Sequence, residues 1–281
     1  MKVLEPDLKA PVISEQKNFK IVALSDFHIG GAYGYLPKGC LDRRGKEIMQ
    51  DEHQEIKEKN LIDALKKIGK VDLLILLGDM VEGQMKKSGG LDVLDVNMDL
   101  QIQWASDNAL SPIVKILEPD IVIGCTGSEY HVGCHNDLLV TERLNNLFPE
   151  IKMFHGYPIA KFILGDKYWN LTHNGSIGGV SKVGALDRQW KKTYLNHYSM
   201  GIKAPDVYGF GHIHKAQVPV QLENGPNPVY SFIVPCQKRP DPFCNGRGEV
   251  FWDCGFLYME QTGTELWGRP ISTYKAWEMK Q

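Results

Sequence analysis

The sequence predicts an α/β protein, and two observations carry that reading. Nearly unbroken apolar runs, IVAL at 21–24, VDLLILL at 71–77 and DIVIG at 120–124, each stop abruptly at Ser, Gly or Cys, which is the pattern of strands covered on both faces. Between them lie longer stretches whose apolar residues recur three and four positions apart, the period of one buried helix face. A chain of 281 residues can bury a full core, and we read residues 1–19 as an N-terminal arm and 20–281 as a single domain.

Taken in order, residues 1–18 hold two prolines and alternating charge and are expected to be irregular. The first strand delivers Asp26 and His28 just past its end. The glycine-rich loop at 30–45 leaves from that point and carries Tyr33, Tyr35, Arg43 and Arg44. It is placed to roof a site, with an arginine meeting a phosphate and a tyrosine stacking on a base or sugar. A helix over 50–68 turns Ile56, Leu61, Ile62, Leu65 and Ile68 inward and most of its charges, Lys57 among them, outward. The second strand ends in Gly78 and Asp79.

After a polar loop, helical spacing resumes over 96–117, where Pro112 should kink or divide the helix. The third strand opens into a segment crowded with Glu129, His131, His135 and Asp137, and a helix follows over 136–147. Short strands are expected at 151–155, 159–164 and 168–172. The last of them delivers His173, whereas His155 reads as a packed or hydrogen-bonded histidine. A helix over 182–198 is locally basic through Arg188, Lys191 and Lys192, which by default is a solvated face. The strand at 206–210 ends in Gly211-His212-Ile213-His214. Further strands are expected at 217–222, 229–234 and 249–260, with Lys238, Arg239 and Arg247 between them at the rim or in solvent.

Composition narrows the class. Hydrophobic residues at 43% and charged residues at 23% exclude a wholly disordered chain. The net charge of -2 provides no broad positive field for nucleic acid or an anionic membrane. No run approaches the ~20 apolar residues of a spanning helix, and the first twenty residues have no apolar core after a positive start, so a cytoplasmic location is expected. The six cysteines, Cys40, Cys125, Cys134, Cys236, Cys244 and Cys254, form no C-x-x-C pair and read as reduced thiols that mostly pack.

What gives the sequence its chemistry is the order Asp26-x-His28, Gly78-Asp79, Gly127-Ser128-Glu129-Tyr130-His131, His173 and Gly211-His212-x-His214. A carboxylate and an imidazole two residues apart beyond a strand can converge on one divalent cation. Each piece alone is unspecific, but the ordered set, each member after a strand or turn, is hard to assemble by chance.

At these residues the chain resembles the calcineurin-like metallophosphoesterase superfamily, whose motifs run D-x-H, G-D, G-N-H followed by an acid, a lone H and G-H-x-H. The resemblance spans about residues 20–215. It implies a four-layer α/β/β/α sandwich of two mixed β-sheets flanked by helices, with a two-metal centre. By the same carry-over Asp26, His28 and His214 would hold one metal, His173 and His212 the other, and Asp79 would bridge them. One motif departs from the family: where it has Gly-Asn-His, this chain has Gly127-Ser128-Glu129-Tyr130-His131. Glu129 is expected to replace the asparagine ligand, with Ser128 the alternative occupant, and His131 to take the place of the histidine that faces the leaving group.

The implied reaction is hydrolysis of a phosphate ester by in-line attack of a hydroxide held between two divalent metals. Manganese is the expected ion, and iron or zinc fits the same oxygen and imidazole donors. A phosphodiester is the expected substrate, DNA foremost, as for the nuclease members of the superfamily that act in double-strand-break repair. Phosphate monoesters and cyclic nucleotides fit the same ligands. A non-catalytic scaffold on this fold would be expected to have lost ligands, which this chain has kept.

Overall fold

The computed structural model describes residues 1–4, 10–84, 92–132, 135–173, 191, 194–197, 199–221, 228–240 and 253–274. In chain order the strands are β1 (Lys2–Leu4), β2 (Val12–Ser14), β3 (Asn18–Leu24), β4 (Leu73–Leu77), β5 (Ile121–Cys125), β6 (Lys152–Gly156), β7 (Ile159–Leu164), β8 (Lys167–Thr172), β9 (Val207–Phe210), β10 (Gln217–Gln221), β11 (Tyr230–Ile233), β12 (Cys254–Thr262) and β13 (Glu265–Tyr274). The helices are α1 (Glu52–Ile68), α2 (Met98–Gln103), α3 (Ser111–Leu117), α4 (Glu129–Val132) and α5 (Asn136–Leu147).

These strands form two mixed sheets. The first has seven strands in the order β1-β6-β5-β4-β3-β12-β13. Its β1-β6-β5-β4-β3 part is parallel, and β12 and β13 are antiparallel to their neighbours. The second has six strands in the order β10-β11-β9-β8-β7-β2, parallel through β11-β9-β8 and antiparallel at β7-β8 and β10-β11. The first eighteen residues, expected to be irregular, give one short strand to each sheet. The hairpin partner β13 is a further strand beyond those expected.

The apolar run of β4 shows why the layers stack. Leu74 and Leu76 join the core under α1, α3 and α5, while Leu73, Ile75 and Leu77 join a second core between the sheets with Phe162, Trp169, Leu171 and Phe232. A strand whose successive side chains point to opposite faces must be apolar throughout when both faces are covered. Burial of each such side chain is worth about 1.5–3 kcal/mol. A third core on the outer face of the second sheet joins Tyr208, Phe210, Ile213, Val229 and Ile233 to Tyr194, which lies in the helical residues 194–197. The result is a four-layer α/β sandwich. Most of the helix expected at 182–198 lies outside the described residues.

Helix boundaries follow local chemistry. Asp51 caps α1 in a reciprocal box with Gln54 (2.8 and 2.9 Å), and Gly69 ends the helix at φ 68°. Between α2 and α3 the chain runs as a π-helix, Trp104–Leu110, which ends directly before Ser111 and Pro112. The widened turn absorbs a ring that can donate no N–H to the preceding turn. Among the described residues no helix is long and apolar enough to cross a membrane.

Candidate metal centre

Five strands from both sheets end at one place. β3 runs out into Asp26 and His28, β4 into Asp79 and Glu82, β5 into Ser128, β8 into His173, and β9 into His212 and His214. The first two loops run side by side, with Asp26 N–H donating to Gly78 O (3.0 Å), His28 N–H to Asp79 O (2.9 Å) and Ile29 N–H to Met80 O (3.0 Å). Gly127 allows the β5 loop to join them, because a Cβ there would stand 2.1 Å from Asp79 Oδ1. Asp137 fastens the same loops from α5, accepting from Asp79 N (3.0 Å), Met80 N (3.0 Å) and Gly127 N (2.7 Å). Burial, and then the charge of Asp79, pushes the Asp137 carboxyl up to about 7.

The backbone at this place is strained. Asp26 (φ 55°), His28 (50°), Asp79 (50°), His212 (65°) and His214 (54°) all adopt left-handed conformations. Among the described non-glycine residues only Glu118, which ends α3, shares this property. Such a conformation costs about 1–3 kcal/mol per residue, and its concentration where polar side chains converge marks a site rather than a packing solution.

The side chains meet around two buried carboxylates. Asp26 Oδ1 lies 3.0 Å from His214 Nε2 and 3.7 Å from both His28 Nε2 and His173 Nε2. Asp79 Oδ2 lies 2.9 Å from His173 Nε2 and 3.9 Å from His28 Nε2. The ligand atoms of Asp26, Asp79, His173 and His212 fall within 4.8 Å of one another, as do those of Asp26, His28 and His214. Asp26 belongs to both groups, and Asp79 reaches His28 as well as His173.

His173 shows why a cation fits. Its Nδ1 is 2.7 Å from Leu77 O, an acceptor only, so Nδ1 carries a proton and Nε2 is turned toward Asp79 and Asp26. Two carboxylates around one imidazole nitrogen call for a positive charge among them, which a proton on Nε2 or a cation in its place supplies. His28 Nε2, His173 Nε2 and His212 Nδ1 are all buried without a hydrogen bond. Burial opposes a charged His173, yet Asp79 and Asp26 outweigh it and raise the ring to about 10. Both carboxyls are held well below the usual range by the surrounding imidazoles despite the opposing effect of burial. Hard oxygen and borderline nitrogen donors without thiolate suit manganese, iron or zinc.

A second set of groups backs the first. Glu82, 1% exposed, places Oε2 2.9 Å from His28 Nδ1 and Oε1 3.3 Å from Lys238 Nζ. This directs His28 Nε2 toward the two aspartates, the carboxylate–histidine arrangement that orients metal ligands. Burial works against ionisation of Glu82, but His28 and Lys238 hold it down at about 2. His131 Nδ1 reaches the Glu82 carbonyl at 3.1 Å, and its ring stands edge-on to His28 with centroids 4.4 Å apart. Burial, then the neighbouring His28 charge, lowers it to about 4.

The structure thus brings together Asp26, His28, Asp79, His173, His212 and His214, with His131 beside them. It does not bring in Glu129, which is exposed at the start of α4 and belongs to none of the ligand groups among the described residues. Ser128, the alternative occupant, lies against Asp79, with N–H 2.7 Å from Asp79 Oδ1 and Oγ 3.1 Å from both Asp79 oxygens. Of the loop residues expected to meet substrate, Tyr35 is in the core, 1% exposed and edge-on to Phe27. Arg43 pairs with Asp95 at 2.8 Å, and Arg44 is exposed. Tyr33 is half-buried beneath the Arg239 guanidinium, 5.2 Å from the ring centroid. Sequence reasoning misses Glu82 and Lys238 as parts of the site, and it marks Asp137 only as one of a crowd of polar residues after the third strand. The one signal for Glu82 is an acid three positions after Asp79, and Lys238, expected at the rim, is instead buried against that acid.

No protein-family model matches the chain, and no curated protein matches it. Among solved structures it is similar to an NAD nucleotidase from Haemophilus influenzae, with 12% identity and a TM-score of 0.36 over 90% of this chain and 49% of that one. It is similar to purple acid phosphatase PPD1 from yellow lupin, with 11% identity and a TM-score of 0.35 over 91% and 52%. A protein of unknown function from Aquifex aeolicus matches with 12% identity and a TM-score of 0.31 over 69% and 79%. The chain spans about half the length of the nucleotidase and of the phosphatase.

Proposed function

We propose that this chain is a metal-dependent phosphoesterase whose two divalent cations are held by Asp26, His28, Asp79, His173, His212 and His214. The observation that carries the proposal is the orientation of His173, whose Nδ1 is engaged by Leu77 O so that Nε2 faces two buried carboxylates. Manganese is the first ion to test. A bound cation pair supplies charge neutralisation for a phosphoryl group and activation of water near neutral pH.

The protein's own groups supply position. Asp26 and Asp79 bring the negative charge that attracts the cations, and Asp137 and Ser128 hold Asp79 in place. Glu82 turns His28, and its carbonyl fixes the ring of His131. His131 is the proposed catalytic residue, set beside the metal ligands to face the leaving oxygen. Within this class we read the substrate as a phosphodiester, DNA first. Tyr33 under Arg239, one residue beyond Lys238, supports a substrate carrying a base.

Hydrolysis of bis-p-nitrophenyl phosphate, p-nitrophenyl phosphate and single- and double-stranded DNA, with manganese and with a chelator, tests this. Chelator-sensitive cleavage of the diester and of DNA, with little on the monoester, is expected. Preference for the monoester would replace the nuclease reading with a phosphatase. Absence of metal-dependent turnover together with absence of manganese binding would overturn the assignment.

A further inference from the structure

Cys236 and Cys254 take no part in the proposed chemistry, yet they are the one pair of cysteines that the described residues bring together. They are directly paired in a short parallel bridge between β11 and β12, with Cys236 N–H donating to Asp253 O (3.1 Å) and Gly255 N–H to Cys236 O (3.0 Å). Paired residues of adjacent strands lie about 4.8 Å apart, inside the disulfide Cα range of about 4.4–6.8 Å. Both thiols are buried, and both sulfurs approach one acceptor, Lys238 O, at 3.1 Å from Cys236 and 3.3 Å from Cys254. Their two peptide segments also hold the metal centre. Gln237 N–H donates to Asp26 O and Asp253 N–H to His214 O, each at 3.1 Å.

We propose that Cys236 and Cys254 are a dithiol that closes reversibly to a disulfide, and that closure weakens cation binding at the adjacent centre. The oxidant is a low-molecular-weight disulfide such as glutathione disulfide. One cysteine gives up its proton and its sulfur attacks the external disulfide, releasing the first small thiol. The second cysteine, deprotonated in turn, attacks the mixed disulfide and releases the other. Two S–H bonds are lost, one S–S bond forms, and the reagent is reduced to two thiols that take up the protons. The thiols are unequal: a hydrogen bond from Cys236, then Lys57, lowers Cys254, while burial raises Cys236.

The coupling runs through the Cys236–Lys238 segment. Closure draws both sulfurs off the Lys238 carbonyl and pulls on the two segments whose N–H groups hold Asp26 O and His214 O. The Lys238 ammonium stands 3.3 Å from Glu82, which orients His28.

The test uses the full chain in glutathione buffers of graded ratio. Free thiols are alkylated after unfolding and the digest is read by mass spectrometry, while manganese affinity is titrated on oxidised and reduced protein. A peptide pair linked through Cys236 and Cys254 is expected, reversible by dithiothreitol and absent in Cys236→Ser and in Cys254→Ser. Manganese affinity should fall about tenfold on oxidation of the wild type and stay constant in a Cys236→Ala/Cys254→Ala variant. Complete alkylation of both residues under every buffer would show them to be packing thiols and overturn the proposal, as would a link that leaves affinity within about twofold. The mass readout does not depend on catalysis. A reduced protein that binds no manganese would instead overturn the metal reading and the coupling with it.

Discussion

Ser128 places its N–H 2.7 Å from Asp79 Oδ1 and its hydroxyl 3.1 Å from both oxygens of that carboxylate, while the next residue, Glu129, is exposed. A hydroxyl on a buried carboxylate contributes about 1.5–3 kcal/mol. Ser128→Ala should therefore lower manganese affinity and kcat/KM on a diester by about tenfold or more. Glu129→Gln should leave both within about twofold. Equal losses in the two variants, measured by titration and kinetics, would return Glu129 to the ligand set.

Glu82 makes a separate prediction because it pairs with His28 and is not among the residues proposed to hold the cations. Glu82→Gln exchanges the carboxylate opposite His28 Nδ1 for an amide that can present either a donor or an acceptor. The ring loses the partner that fixes its tautomer. Manganese affinity should drop about 10- to 100-fold, with secondary structure by circular dichroism unchanged. Unaltered affinity would show that His28 is positioned by its backbone alone.

Much of this site is legible in the amino-acid order because buried parallel strands have a plain signature, and their carboxyl ends gather ligand groups. Asp26, Asp79, His173 and His212 fall at the ends of such strands. What the order of residues does not reveal is rotation within short irregular pieces. The choice between Ser128 and Glu129 depends on the phase of the four-residue helix α4, and the choice between Tyr33 and Tyr35 on which side of a loop packs on Phe27. The outer strands β1 and β2 are three residues each, too short to show alternation. Lys57 reads as a solvent-facing member of α1, since nothing local reveals that two distant carbonyls wait for its ammonium.

His155, read as a packed residue, has a pH consequence. Thr141 Oγ donates to Asp137 O (2.9 Å), so it accepts from His155 Nδ1 (3.0 Å), and Thr126 Oγ donates to Nε2 (3.0 Å). The neutral ring is fully used, and burial lowers it to about 4. Between about 4 and the ordinary value near 6.5 the unfolded chain binds more protons than the folded one, so stability falls as pH drops through that window. Against His155→Gln, which does not titrate there, the wild type should lose on the order of 2–3 kcal/mol from pH 7 to pH 4. Urea unfolding of both proteins measures it, and a pH-independent difference would refute the assignment.

Lys57 has the opposite charge type and acts at the alkaline end. It is 1% exposed on α1, and its ammonium donates to Gly34 O (2.9 Å), on the loop that leaves His28, and to Gln237 O (2.8 Å), whose N–H holds Asp26 O. Burial, reinforced by Arg239, lowers it to about 8 even though nearby thiols and Asp51 favour the charge. At pH 7 the lysine is charged in both states, and the folded state bears the cost of burying that charge. Above about 8 the folded chain releases the proton while the unfolded chain keeps it to about 10.4, so this contribution to stability rises with pH across that window. Lys57→Met, which leaves both carbonyls without their donor but cannot titrate, should fall behind the wild type by up to about 3 kcal/mol more at pH 10 than at pH 7.5. Parallel stability profiles for the two proteins would mean that the ammonium is not desolvated in the folded state.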